Sequence, residues 1–108
     1  YTLSFSYESK FARDDLLFSY HYPYTYSDLQ RFYQWLMGIK CAKRNLMCLT
    51  PCRNKLHCLT ITENGANWKP MTKRYVFILA RAHPGETIGS LLVERLVRYL
   101  VSNEKLAM

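Results

Sequence analysis

Over residues 1–8, Tyr1, Leu3, Phe5 and Tyr7 alternate with Thr2, Ser4, Ser6 and Glu8. A period of two predicts a half-buried strand. Past a polar break over residues 9–15, residues 16–22 (LLFSYHY) read as a second strand, and Pro23 stops regular pairing. The period then lengthens. Leu29, Phe32, Tyr33, Leu36 and Met37 fall at helical spacing behind Ser27-Asp28-Leu29-Gln30, which has the form of a capping box. The spacing predicts a helix over residues 28–37 with Gly38 as its stop. An aromatic stripe of this kind is ordinarily core.

Residues 46–50 and 56–62 predict two strands around a turn at residues 51–54, and Leu59-Thr60-Ile61-Thr62 shows β-branched alternation. Residues 63–72, with Asn64-Gly65, read as a polar loop. Residues 75–80 (YVFILA) are a continuous apolar run of strand length, as a central strand buried on both faces requires. A second helical pattern follows, placing Ile88, Leu91, Leu92, Leu96, Tyr99 and Leu100 on one face. The order predicts an α/β chain without internal repeats.

Composition narrows the class. At 108 residues, 49% hydrophobic and 15% aromatic, the chain is too apolar for a disordered segment and fits one small domain or part of a larger one. No apolar run approaches the roughly 18 residues a membrane helix needs. The net charge of +7 favours acidic partners, but no run of five basic residues appears. Nucleic-acid binding through the basic segment 40–55 is therefore a minor alternative, which salt-dependent binding would reveal. The four cysteines, Cys41, Cys48, Cys52 and Cys58, lack the paired C-x2-C spacing of common zinc modules. They read as reduced, mostly structural thiols, some buried in strands. His57 and Cys58 are strand neighbours and should point to opposite faces.

The chemistry-bearing stretch is Arg81-Ala82-His83-Pro84-Gly85-Glu86-Thr87, between the apolar run and the second helix. Sites in α/β sheets gather where strands lead into helices. An imidazole and a carboxylate both suit Zn²⁺, at ~2.0–2.2 Å. Pro84 and Gly85 allow a tight bend, and the following helix dipole favours an ionised Glu86. H-x-x-E alone is a weak signal. His83 as a strand-end residue and Glu86 as a first-turn helix carboxylate is an equally open reading of the spacing.

The wording of the stretch adds to the spacing. His83-Pro84-Gly85-Glu86-Thr87, behind an apolar strand, resembles the first metal-binding motif of the M14 zinc metallocarboxypeptidases. With Arg81 and Ala82 it is similar to the cytosolic carboxypeptidase branch in particular. Tyr22-Pro23-Tyr24-Thr25-Tyr26-Ser27-Asp28-Leu29 and Leu59-Thr60-Ile61-Thr62 resemble two further segments of that branch, in the same order, so that the likeness extends over about residues 16–101. Thr50-Pro51-Cys52-Arg53-Asn54-Lys55 departs from it and leaves the register of that hairpin open.

The resemblance implies the front part of a mixed-sheet zinc carboxypeptidase fold over residues 23–108. Residues 1–22 would be the last strands of a preceding β-sandwich. It implies that His83 and Glu86 are ligands to Zn²⁺ and that the third ligand is a downstream histidine, with water in the open position. It places the general base and the groups that hold the substrate carboxylate downstream too, so no catalytic residue is expected within this chain. The implied activity is removal of C-terminal glutamates from acidic protein tails such as polyglutamylated tubulin, in a cytoplasmic, cytoskeleton-associated setting. The isolated piece is expected to be inactive, and marginal in stability because its strands need neighbours. The alternative from another class is a non-catalytic interaction module that keeps only the front of the fold.

Overall fold

The structure, a computed structural model, describes residues 1–62 and 74–102. Two helices and one hairpin follow in the order α1 (Tyr26–Trp35), β1 (Ala42–Leu49), β2 (Lys55–Ile61) and α2 (Thr87–Ser102). This is a partial α/β arrangement with a single two-stranded antiparallel sheet among the described residues.

α1 begins two residues ahead of the expected position. Its N-cap is Thr25, in extended conformation. The Thr25 hydroxyl accepts from the Asp28 amide at 3.2 Å, and Asp28 Oδ2 accepts from the Thr25 amide at 2.7 Å. Thr-x-x-Asp therefore does what Ser27-x-x-Gln30 was expected to do, satisfying two amides at the helix start. The Thr25 hydroxyl also donates to Asp28 Oδ2 at 2.6 Å, and this bond, then that from the Thr25 amide, holds the Asp28 carboxyl below its ordinary range. Past the C-cap Leu36, Gly38 adopts φ +92, a left-handed conformation glycine accepts without steric cost.

β1 (Ala42–Leu49) starts four residues ahead of the expected 46–50 and ends one earlier, while β2 (Lys55–Ile61) has the expected length, one residue ahead of 56–62. Their register pairs Ala42 with Ile61, Arg44 with Leu59 and Leu49 with Lys55, with one irregularity between Leu46 and Cys48. Thr50 closes the turn: its amide donates to Asn54 O at 2.9 Å, and its carbonyl accepts from the Arg53 amide at 2.7 Å. Arg53 is left-handed at φ 59. The register left open by the unusual turn sequence is thereby fixed. His57 is half-buried and Cys58 exposed, on opposite faces as expected.

The core joins α1, the second half of α2 and one face of the hairpin. Phe32, Tyr33, Leu36, Val97 and Val101 are buried together, flanked by Leu29, Ile39, Leu59, Ile61 and Val93. Each large apolar side chain withdrawn in this way contributes roughly 1.5–3 kcal/mol. Arg98 lies 4.1 Å from the Trp35 ring centroid and 5.4 Å from that of Phe32, so its guanidinium covers aromatic faces at the core's edge.

Four further expectations differ from what is observed. Residues 1–8 and 16–22 form no strand; Phe18 instead gathers Phe5 and Tyr7, at 5.5 and 6.0 Å between ring centroids. Residues 75–80 form no strand among the described residues and are not buried: Val76, Phe77 and Leu79 are 84%, 90% and 95% exposed. A strand exists through its ladder, and the one sheet of the described residues joins only β1 and β2. On α2, Ile88, Leu92, Leu96 and Tyr99 are exposed, while Val97 and Val101 face the core. Finally, Cys48, Cys52 and Cys58 are exposed and Cys41 only partly covered, so the strand thiols are not buried; all four are free. The expected loop over residues 63–72 lies outside the described residues. A Cα radius of gyration of 18.6 Å, against roughly 13 Å for a compact domain of about 100 residues, agrees with so small a buried core.

Candidate metal centre

The loop between residues 74–80 and α2 brings two donor groups together. His83 Nδ1 stands 2.9 Å from Glu86 Oε1. The backbone makes that approach: the Glu86 amide donates to His83 O at 3.1 Å and the Thr87 amide to Gly85 O at 2.9 Å. Pro84-Gly85 thus forms a tight turn that folds position 86 back over position 83. Both side chains remain open, at 78% exposure for His83 and 61% for Glu86. Glu86 immediately precedes α2, where the unpaired amides of a helix start favour negative charge.

The loop is tied to the segment ahead of α1. Arg81 Nε donates to Pro84 O at 2.9 Å, and its Nη1 donates to Tyr24 O at 2.6 Å, across 57 residues of sequence. The Thr87 hydroxyl donates to Tyr22 O at 2.7 Å. Gly89 completes the junction, since a Cβ there would stand 3.3 Å from the Arg81 backbone nitrogen. Further along α2, Tyr24 donates its phenol to Glu94 Oε2 at 2.8 Å, and Arg98 Nε donates to Glu94 Oε1 at 2.9 Å. Burial, then the Glu94 bond, pushes the Tyr24 phenol well above its ordinary value. A cleft of about 280 Å³ lies here, bounded by Tyr22, Tyr24, Arg31, Glu94 and Arg98. It lies apart from His83 and Glu86.

Two ligands about 2.0–2.1 Å from one tetrahedral ion stand roughly 3.3 Å apart. The observed 2.9 Å asks for only a slight opening, and an imidazole with a carboxylate is a donor set that Zn²⁺ accepts. No group of three or more His, Cys, Asp or Glu side chains converges among the described residues. The chain's contribution therefore fits half of a four-coordinate site. His21 stacks edge-on with Tyr20, and His57 packs edge-on against Tyr33; neither approaches the pair.

Arg81 and Glu94 have roles beyond what the sequence reading gave them. Glu94 carried a signal, as the single acidic residue of α2. The carbonyl targets of Arg81 carried none, because they are main-chain atoms.

No family model matches the chain, and no solved structure does. Among curated proteins it is 32% identical over 110 residues to cytosolic carboxypeptidase 3 of Bos taurus, covering 95% of this chain and 11% of that protein. It is 33% identical over 120 residues to cytosolic carboxypeptidase 1 of Mus musculus, covering 99% and 10%. Cytosolic carboxypeptidase 2 of Xenopus tropicalis is 32% identical over 108 residues, covering 95% and 11%. The chain spans about a tenth of the length of these curated relatives. The likeness runs through nearly every element described above, and the chain belongs to the cytosolic carboxypeptidase branch of the M14 carboxypeptidases.

Proposed function

We propose that the protein to which this chain belongs is a zinc-dependent metallocarboxypeptidase, in which His83 and Glu86 are two of the protein ligands. The observation that carries the proposal is the approach of His83 Nδ1 to within 2.9 Å of Glu86 Oε1, in a loop worded like the branch's metal motif. Bound there, Zn²⁺ supplies Lewis acidity that polarises a scissile carbonyl and acidifies water. His83 gives its neutral imidazole, releasing any proton it shares with Glu86, and Glu86 gives a carboxylate near the start of α2. The third ligand, the general base and the groups that grip a terminal carboxylate come from outside this chain. Residues 23–108 then form the front of the M14 domain, and residues 1–22 the end of a β-rich unit ahead of it. The substrates are C-terminal glutamates on acidic protein tails, such as polyglutamylated tubulin, in the cytoplasm and on the cytoskeleton. The net charge of +7 is of the sign such tails require.

The test uses the full-length protein. His83→Ala and Glu86→Gln should each lower bound zinc, measured by metal analysis after dialysis, and abolish release of terminal glutamate from a polyglutamylated peptide. Retained zinc and activity in both variants would overturn the assignment. Zinc lost in both variants, with wild-type peptidase activity only on non-acidic tails, would keep the metal site and refute the substrate.

A further inference from the structure

We infer that Arg81 is a positioning residue for the His83–Glu86 pair, a clamp that fixes the metal loop through two main-chain carbonyls. The inference rests on the reading of that pair as ligands. His83 and Glu86 are largely exposed, so side-chain packing does not hold them in place. A preorganised site then needs its loop fixed by other bonds. Arg81 supplies them: Nε meets Pro84 O inside the loop at 2.9 Å, and Nη1 meets Tyr24 O ahead of α1 at 2.6 Å. Pro84 is the residue between the two donors' turn positions, so fixing its carbonyl fixes the bend itself. The Tyr24 carbonyl belongs to a residue buried at the junction with α2, which makes it a firm anchor.

The backbone of Arg81 gives independent support. At φ 59 it is left-handed, a conformation that costs a residue with a Cβ energy and persists only where the surroundings over-determine it. Glycine would be the residue of choice if only the bend mattered. An arginine at this position is explained by its fork, which reaches two carbonyls in different directions; an ammonium is a single point of donation. Gly89 allows α2 to pass this close, since a Cβ would press on the Arg81 amide nitrogen.

Arg81→Gly separates the two contributions, because it keeps the left-handed φ and removes the guanidinium. Zn²⁺ affinity is read by competition with a chromophoric chelator, and loop order by hydrogen exchange of the Glu86 amide. Arg81→Gly should weaken Zn²⁺ by about tenfold or more, the usual effect of losing an outer-shell partner. It should also accelerate exchange at Glu86 while leaving the β1–β2 amides unchanged. Arg81→Lys should fall between wild type and Arg81→Gly. Zinc affinity within about twofold of wild type in Arg81→Gly overturns the clamp, as does acceleration of all amides together, which would make Arg81 a general stability residue. His83→Ala is the reference: if it leaves Zn²⁺ binding intact, the ligand reading fails, whatever Arg81 does.

Discussion

Replacing Tyr24 with Phe removes one oxygen atom from a ring that is 5% exposed and changes little else in volume. That oxygen donates to Glu94 Oε2 at 2.8 Å, while the other carboxylate oxygen is held by Arg98. A hydrogen bond to a charged group contributes about 1.5–3 kcal/mol, and leaving a buried acceptor unmet has a similar cost. Glu94 is 20% exposed and keeps its Arg98 partner, so water and the ion pair soften the loss. The lower half of the range applies, about 1.5–2 kcal/mol. For a domain near 100 residues this lowers Tm by roughly 6–12 °C. Urea unfolding of the wild type, Tyr24→Phe, Glu94→Gln and the double variant gives the coupling between the two side chains. It should be at least ~1 kcal/mol. A Tyr24→Phe change below ~0.5 kcal/mol, or strict additivity, would show that the contact does not stabilise the junction. The same bond has an alkaline signature. The phenol's pKa lies above its ordinary 10.0, raised first by burial and then by the bond to Glu94, so the folded state favours the neutral form. That stability is complete below pH 10 and is lost as pH rises beyond it. Phe at position 24 should flatten this loss, although Tyr33, raised mainly by burial, leaves part of it in place.

Other outcomes follow from groups away from that junction. His57 packs edge-on against Tyr33 at 5.1 Å, and its Nδ1 meets no hydrogen-bond partner among the described residues. Burial, then the charges of Arg44 and Lys55, lower its pKa, so its contribution is present above pH 6.5 and fades as pH falls below it. His57→Phe should remove this acid-side loss between pH 7.5 and 5 in urea midpoints, and parallel pH profiles for the two proteins would refute it. Cys48, Cys52 and Cys58 are exposed thiols, whereas Cys41 is partly covered and packs at the core's edge. Ellman's reagent should titrate three thiols rapidly and a fourth slowly under native conditions. Fewer than four in total, without reductant, would contradict the free-thiol state. The loss of zinc and glutamate release in His83→Ala and Glu86→Gln remains the direct test of the site.

What could be read from the sequence divides by the range of the interactions involved. The helices and the hairpin are set by near neighbours, and each appears within a few residues of its expected place. The start of α1 was misplaced because two boxes, Thr25-x-x-Asp28 and Ser27-x-x-Gln30, overlap there. Pro23 restricts only the residue before it, so the helix can start as soon as Thr25 provides a cap. α2 posed a harder problem. Val93, Val97 and Val101 form a stripe at i, i+4 and i+8 just as apolar-looking as the leucine face, and a helix apolar around most of its circumference does not declare which side is buried. Residues 75–80 show the limit most clearly. Their apolar pattern predicts a buried central strand and the structure shows none there, because burial depends on neighbouring strands that no local pattern can supply.

The candidate site escapes that limit for a physical reason. The turn at Pro84-Gly85, the Glu86 amide bonded to His83 O and the start of α2 all lie within seven residues of chain, so the approach of the two donors needs no completed sheet. The long-range part is the anchoring, through Arg81 to Tyr24 and Thr87 to Tyr22, and it too uses only segments that this chain contains. The pair should therefore be preorganised before any further ligand joins it. A ligand arriving from elsewhere then meets two donors whose ordering cost has already been met within the loop and its anchors. Removing the anchors transfers that cost to the binding step, so the affinity of the complete centre should respond to Arg81 even though Arg81 touches no ligand atom.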